Sequence, residues 1–275
     1  MLTILLFQDL LILIMAAVTV VASVKYLLMA GIVNLSATFN FSAKVRGQII
    51  GYATSIPELT ALVAGALAGV FSAGLWNIAS SNIINWVLFL LTVIVYRQQI
   101  DLKNKWFIDE ILFGIVSVAL PLLLIAMNIT IGFSLAAGLI LFFVTYRVFD
   151  RLYNVKGQPA PLPPGTERGT LLGGLLFLAA GIGLILIAGR FLSISAGSLI
   201  LYFNIPAWAV GWILGLITSI SELTSFVEIY DIHKHKNRTG YIKDTQEAID
   251  ALVTSNISNI GLILPLGIIF YLILS

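Results

Sequence analysis

The sequence predicts an all-α, polytopic membrane helix bundle with about eight transmembrane helices arranged as two inverted repeats. Three observations predict it: the composition, an alternation of basic connectors, and a polar motif that occurs twice. Of the 275 residues, 59% are hydrophobic and 10% are charged, and the mean hydropathy is +1.03. Soluble domains carry about a quarter charged residues. The composition therefore argues against a soluble enzyme, and no nucleic-acid-binding patch is present.

Hydrophobic runs between charged or Pro/Gly-rich breaks give the helices in order. Each run is close to the roughly 20 residues that cross a bilayer. Gln8 and Asp9 interrupt the first run early, and no basic segment or small-residue cleavage site accompanies it, so we interpret it as a span and not as a signal peptide. The predicted spans are 9–31, 47–70, 76–96, 107–127, 131–149, 171–190, 206–229 and 249–273.

The connectors between these spans alternate in charge. Thirteen of the 15 basic residues lie in four connectors, at 32–46, 96–106, 147–170 and 231–248. The other three connectors carry essentially none, and lie at 71–75, 128–130 and 191–205. Because Lys and Arg accumulate in cytoplasmic loops, this pattern predicts an integral plasma (inner) membrane protein with both termini outside the cytoplasm.

A Pro-rich stretch divides the chain into two membrane halves. Four of the eight prolines lie in the predicted cytoplasmic linker at 156–170, where they interrupt any helix. Residues 1–155 then form a first half of five helices with a motif at 51–85. Residues 171–275 form a second half of three helices with a motif at 215–259.

The two halves share a polar motif. Thr54-Ser-Ile-Pro-Glu-Leu-Thr60 corresponds to Thr218-Ser-Ile-Ser-Glu-Leu-Thr224, and Ser81-Asn-Ile-Ile-Asn85 corresponds to Ser255-Asn-Ile-Ser-Asn259. By the charge alternation, the two Glu-bearing helices cross the membrane in opposite directions. Inverted repeats are typical of secondary transporters, whose substrate site lies near the midplane where the repeats meet.

Glu58 and Glu222 are the residues that most need an explanation. A carboxylate within a span costs several kcal/mol unless it faces protein, water or a cation, and no Lys, Arg or His is expected at the same depth. A bound cation or a proton can supply the compensating charge. The alternative is a protonated Glu that serves only as a hydrogen-bonding group between helices.

Small polar residues surround each glutamate at helical spacing. Hydroxyls three and four residues before each Glu share its helix face. Pro57 frees the carbonyl of Ala53, whereas Ser221 stands at the equivalent position of the second copy and permits a regular helix there. An all-oxygen donor set suits hard cations such as Ca²⁺. The candidate metal ligands are Glu58, Glu222, Thr54, Ser55, Ser81, Asn85, Thr218, Ser219, Ser255 and Asn259.

Four further acidic residues flank the last basic connector. Glu228 and Asp231 precede it, and Glu247 and Asp250 follow it. Asp250 lies nine residues before Asn259 and could approach the site. An interfacial position is the prediction for it.

These motifs resemble those of the cation/Ca²⁺ exchanger superfamily, the sodium/calcium exchanger-like membrane proteins with two inverted alpha-repeats. The family motifs are Gly-Thr-Ser-x-Pro-Glu and Gly-Asn-x-x-Gly-Ser-Asn-x-x-Asn/Asp. Thr54 to Glu58 and Thr218 to Glu222 resemble the first motif, although the second copy lacks the proline. The second motif is less complete, since its departures are Trp76, Ser80, Ala251 and Thr254.

The resemblance implies a secondary active antiporter that exchanges Ca²⁺ against Na⁺ or H⁺ by alternating access. It implies no enzymatic activity and no prosthetic group, with inorganic cations and the lipid bilayer as partners. Glu58 and Glu222 would be the central Ca²⁺ and Na⁺ ligands. Asn85 and Asn259 are both amides where family members often have one Asp, so the site has two carboxylates instead of three. Ligand chemistry alone also admits Na⁺ with H⁺, Mg²⁺ or Mn²⁺.

Helix number departs from the family pattern. The family usually has ten helices, five per half, and eight are predicted here. The expectations left open are a truncated but active exchanger, a protein completed by homo-oligomerisation, and a degenerate copy. The alternative function is therefore a non-transporting or partner-dependent membrane subunit, or a cation-binding protein, derived from the exchanger fold.

Overall fold

The computed structural model describes residues 2–67, 71–153, 170–234 and 242–274, and these residues form helices joined by short turns. The helices of the first half are α1 (Leu2–Ser23), α2 (Met29–Phe39), α3 (Ala43–Thr54), α4 (Ile56–Leu67), α5 (Phe71–Val95), α6 (Ile108–Ala126) and α7 (Phe133–Tyr153). Those of the second half are α8 (Leu171–Phe203), α9 (Ala207–Thr218), α10 (Ile220–Lys234), α11 (Ile242–Ser258) and α12 (Leu264–Leu274).

Two π-helical segments connect consecutive helices directly, so that each pair continues as one long helix. Val24–Leu28 joins α1 to α2, and Asn259–Ile263 joins α11 to α12. The second segment begins at a predicted site residue. π-Helical turns are often found at functional sites because they re-aim the side chains next to them.

Seven helices of the described part of the chain are long and apolar enough to cross a membrane. They lie at Leu6–Phe39, Phe71–Val95, Lys105–Ala126, Phe133–Leu152, Leu171–Leu192, Ala207–Asp231 and Ile242–Ile273. The remaining predicted span, 47–70, corresponds to α3 and α4, which follow one another across Ser55 and have 12 residues each. The polytopic helical bundle predicted from composition is confirmed.

The two halves pack into each other through glycines. On α3, a Cβ at Gly47 or Gly51 would collide with the backbone of α11 at Glu247 and Ala251. On α9, a Cβ at Gly211 would meet Trp76 of α5, and a Cβ at Gly215 would meet the Ser80 side chain. Small residues four apart let membrane helices approach closely. Each half thus places its Glu-bearing helix pair against the motif helix of the other half.

A buried ion pair fastens α3 to α11 near their N-termini. Arg46 donates to both carboxylate oxygens of Glu247, with Nε 3.0 Å from Oε1, and the two side chains are 1% and 2% exposed. Glu247 and Asp250 are both buried within the protein, so Asp250 does not face water, and its interfacial depth in the membrane stays a prediction. Arg46 and Gly47 of α3 allow this burial, although they lie about 200 residues before Glu247 and Asp250 in the sequence.

The predicted linker at 156–170 lies outside the described residues, apart from Thr170.

Candidate cation-binding site

The two Glu-bearing segments are broken helices in both repeats. α3 ends at Thr54 and α9 ends at Thr218, and Ser55 and Ser219 at the two junctions have similar backbone angles, with φ of −80° and −68°. The following helices resume at once, since the N–H groups of Leu59 and Leu223 donate to the carbonyls of Ser55 and Ser219. The break in the second repeat therefore forms without a proline.

Ser221 explains how this break is stabilised. Its hydroxyl oxygen lies 2.6 Å from the carbonyl oxygen of Thr218, 3.1 Å from that of Thr54, and 2.8 Å from Oε2 of Glu222. One side chain therefore links the breaks of both repeats. This contact uses carbonyls that a helix junction leaves without intrahelical partners.

Glu58 and Glu222 lie close enough to each other to interact electrostatically, and they are 0% and 1% exposed. Their surroundings differ. Glu222 accepts hydrogen bonds from Ser221 and Ser255, whereas neither carboxylate oxygen of Glu58 has a hydrogen-bond partner. No ion pair within the described residues reaches either glutamate, so Glu58 has an unsatisfied buried carboxylate.

A chain of hydroxyls crosses from one repeat to the other. Ser55 donates to the Gly51 carbonyl at 2.8 Å, and its Oγ lies 2.9 Å from Oγ of Ser255. Ser255 in turn donates to Oε1 of Glu222 at 2.9 Å. Ser258 also reaches Ser55, at 3.1 Å. These contacts bring the predicted residues Ser55, Ser255 and Glu222 together.

The amides form a second link between the repeats. Asn85 donates to Oδ1 of Asn256 at 3.0 Å, and Asn259 donates to Oδ1 of Asn82 at 2.9 Å. Asn82 and Asn256 also donate to each other's backbone carbonyls. The side-chain oxygens of Asn85 and Asn259 remain buried without a hydrogen-bond partner. Two amide oxygens are thus free to bind a cation.

The remaining predicted residues are equally buried, and their hydroxyls face different neighbours. The Thr218 hydroxyl lies near the Glu58 carboxylate without a hydrogen bond of good geometry, and the Thr54 hydroxyl lies near Glu222, so each glutamate has a threonine of the other repeat beside it. Ser81 donates to the Ile78 carbonyl of its own helix at 3.2 Å. The Ser219 hydroxyl is 0% exposed and has no hydrogen-bond partner. All ten predicted ligands are at most 2% exposed.

Four residues that contact the predicted ones are not among the predicted ligands. Asn82, Asn256, Ser221 and Ser258 lie inside the repeated motifs. The signal was present, because the asparagine after the first serine occurs in both copies of Ser-Asn-Ile-x-Asn. Ser221 was treated as the loss of a proline, although its hydroxyl supplies a contact that proline lacks.

The donor set consists of oxygen atoms only. Two carboxylates and several hydroxyls lie where the breaks meet. The two unpaired amide oxygens belong to the asparagine link between α5 and the end of α11. Oxygen ligands without nitrogen or sulfur favour hard cations. Two ionised glutamates carry the charge to balance one divalent or two monovalent cations.

Comparisons with known proteins agree with this geometry. The sequence model of the sodium/calcium exchanger protein family matches residues 9–150, which is more than half of the chain. No curated protein matches the chain.

Solved structures share its fold. One is the sodium-calcium exchanger NCX_Mj soaked with 2.5 mM Na⁺ and 10 mM Sr²⁺, with 18% identity, a TM-score of 0.58, and coverage of 96% of this chain and 83% of that one. Another is the H⁺/Ca²⁺ exchanger CAX, with 16% identity, a TM-score of 0.68, and coverage of 96% and 68%. Together with the repeats and the buried glutamates, the match over residues 9–150 shows that the chain belongs to the sodium/calcium exchanger protein family.

Proposed function

We propose that this protein is a secondary active antiporter that exchanges Ca²⁺ for Na⁺ or H⁺ at the site formed by the two broken helices. The observation that carries the proposal is the Glu58 carboxylate, which is 0% exposed with no hydrogen-bond partner on either oxygen. An isolated ionised carboxylate in a low-dielectric interior is strongly unfavourable. A transported cation or proton would supply the missing charge.

Charge equality is the physical basis of exchange. One Ca²⁺ or two monovalent cations would neutralise Glu58 and Glu222, so the two kinds of cargo compete for one pair of carboxylates. The hydroxyls and amides would complete the coordination, with Thr54, Ser55, Ser81 and Asn85 from the first repeat and Thr218, Ser219, Ser255 and Asn259 from the second. Alternating access would expose this shared site to one side at a time.

Transport by purified protein in proteoliposomes tests the proposal. Ca²⁺ uptake would be measured under an imposed Na⁺ gradient and, separately, under a pH gradient. We expect one gradient to drive uptake and thereby to identify the counter-ion. Glu58→Gln and Glu222→Gln keep the side-chain shape but remove the negative charge, and we expect each to abolish uptake.

Glu228→Gln is the matched control. Glu228 lies on α10, six residues after Glu222, but its carboxylate pairs with Lys25 at 2.8 Å and does not reach the site. We expect this variant to retain exchange. Unchanged uptake in Glu58→Gln, or no uptake by folded wild-type protein under either gradient, would contradict the proposal.

A further inference from the structure

A second group of buried ionisable residues lies between α3, α6, α7 and α11. Lys44 of α3 forms ion pairs with Asp150 of α7 and with Glu110 of α6, the latter at 3.6 Å. Asp250 of α11 interacts electrostatically with Lys44, Asp150 and Glu110. None of these four residues is more than 8% exposed. Three carboxylates therefore share one buried ammonium group.

The neighbouring cations do not balance the extra charge. Arg46 is occupied by its paired contact with Glu247. Arg147 is 36% exposed at its side chain and reaches only Asp150, at 3.5 Å. Gln48 also donates to Asp150, at 2.9 Å. Within the described residues, the ion pairs of these cations go to Asp150, Glu110 and Glu247, and Asp250 has only a longer-range interaction with Lys44.

Asp250 is the least satisfied member of this group. It is 0% exposed, and neither of its carboxylate oxygens has a hydrogen-bond partner. Its Cβ lies where a side chain at Gly47 would be, so α3 packs directly over it. A single uncompensated charge at such a position costs several kcal/mol. A neutral carboxyl group removes this cost.

A proton fits the position better than a metal ion. The ammonium group of Lys44 already lies among these carboxylates, and its positive charge would repel a metal ion. A metal would also need several oxygen ligands, whereas a proton needs only one carboxyl oxygen. Asp250 is five residues, or about 7.5 Å along the helix, from Ser255, so we treat it as separate from the candidate cation-binding site.

Other titratable groups around Asp250 leave this assignment unchanged. Those that act on it are Lys44 from α3, Asp109 and Glu110 from α6, Tyr146 and Asp150 from α7, and Glu247 from α11 itself. Tyr230 of α10 and Asp101 are hydrogen-bonded to Thr245 of α11, which lies more than one helical turn before Asp250. α5 contains no titratable residue. Acidic neighbours outnumber basic ones, which favours the neutral carboxyl.

We propose that Asp250 is a proton-binding site, separate from the Glu58 and Glu222 pair, that holds a proton while Lys44 is shared by Asp150 and Glu110. The proposal rests on the geometry of this cluster and not on which ions the protein exchanges. The proton leaves when Lys44 turns toward Asp250 or when the α3–α11 contact opens to water. Asp250 therefore links the protonation of the protein to the packing of two site-bearing helices.

Infrared spectroscopy of the purified protein tests this directly. The carbonyl stretch of a protonated carboxylic acid would be recorded at neutral pH, and the wild-type spectrum compared with that of Asp250→Asn. We expect the variant to lose intensity equal to one protonated carboxyl group. Asp250→Glu should restore a band at a shifted frequency. This measurement needs no transport activity, so its result is independent of whether the protein exchanges Ca²⁺.

Lys44→Met provides a second variant that keeps Asp250. Removal of the ammonium group disfavours the ionised carboxylate, so we expect the Asp250 band to persist to higher pH than in wild type. Equal band intensity in wild type and Asp250→Asn would overturn the proposal. Loss of the Asp250 band on addition of Ca²⁺ or Na⁺ at constant pH, in wild type and equally in Glu58→Gln, would overturn it in favour of a metal site at Asp250.

Discussion

Ser255 joins the two repeats through one hydroxyl group. It lies 2.9 Å from the Ser55 hydroxyl of the first repeat and donates to Oε1 of Glu222 in the second. A hydroxyl at this position fixes one carboxylate oxygen of Glu222 and accepts a hydrogen bond from Ser55. Position matters here more than residue type, because the buried serines Ser81 and Ser225 donate to backbone carbonyls of their own helices.

Replacement of this hydroxyl tests its role at the site. Ser255→Ala would leave Oε1 of Glu222 buried without a donor, and an unsatisfied buried acceptor costs about 1–3 kcal/mol. We expect the KM for Ca²⁺ in proteoliposome exchange to rise roughly five- to 150-fold. The matched control is Ser225→Ala, since Ser225 is equally buried but donates to the backbone carbonyl of Glu222 at 2.8 Å. An equal KM in the two variants would contradict this role.

At the scale of the element, close helix packing sets the geometry of the site. Gly51 lies four residues before Ser55, and a Cβ there would collide with the Ala251 carbonyl and lie 2.9 Å from the Ser255 backbone nitrogen. The glycine is thus required for a close approach of α3 to α11. This approach brings the Ser55 and Ser255 hydroxyls within hydrogen-bond distance.

Gly51→Ala should therefore disturb both stability and exchange. Overpacking of a close contact costs about 1–3 kcal/mol, and we expect a lower unfolding temperature in detergent together with slower Ca²⁺ uptake. Gly138→Ala is the control, because Gly138 is also helical but nothing lies within 4 Å of its Cβ position. There we expect no loss, and a gain in stability of up to about 1 kcal/mol from helix propensity. Equal behaviour of the two variants would refute the packing argument.

Sequence reasoning succeeded where a signal was local. Hydropathy predicted the membrane helices, and the duplicated motif singled out Glu58 and Glu222, which are both buried. It is limited where burial depends on distant partners. No local signal shows that Gly47 and Lys44 of another helix enclose Asp250.

The break in the second repeat shows the same limit. A proline signals a helix break within a few residues, so the first break was evident from Pro57. In the second repeat, Ser221 reaches the Thr54 carbonyl of the other half, 167 residues away. Only the folded chain brings these two groups together.

At the scale of the whole molecule, neither half contains a complete site. α3 packs against α11, α5 against α9, and α1 against α8, so each half covers the motifs of the other. Predicted ligands of one half contact residues of the other, as the hydrogen bonds of Ser55 with Ser255 and of Asn85 with Asn256 show. Inverted repeats that interlock in this way place a shared site at the middle of the bundle.

The orientation of this bundle in the membrane remains a prediction from the connector charges. The chain has no cysteine, so single-cysteine variants report on one position each. Ile100 lies in a basic connector and is 80% exposed, and Thr130 lies in an uncharged connector and is exposed. Because basic connectors face the cytoplasm, we expect a membrane-impermeant maleimide to label Thr130→Cys on intact cells. Ile100→Cys should be labelled only after the membrane is opened. The reverse pattern would invert the topology, and labelling of both variants on intact cells would contradict the alternation of the connectors across the membrane.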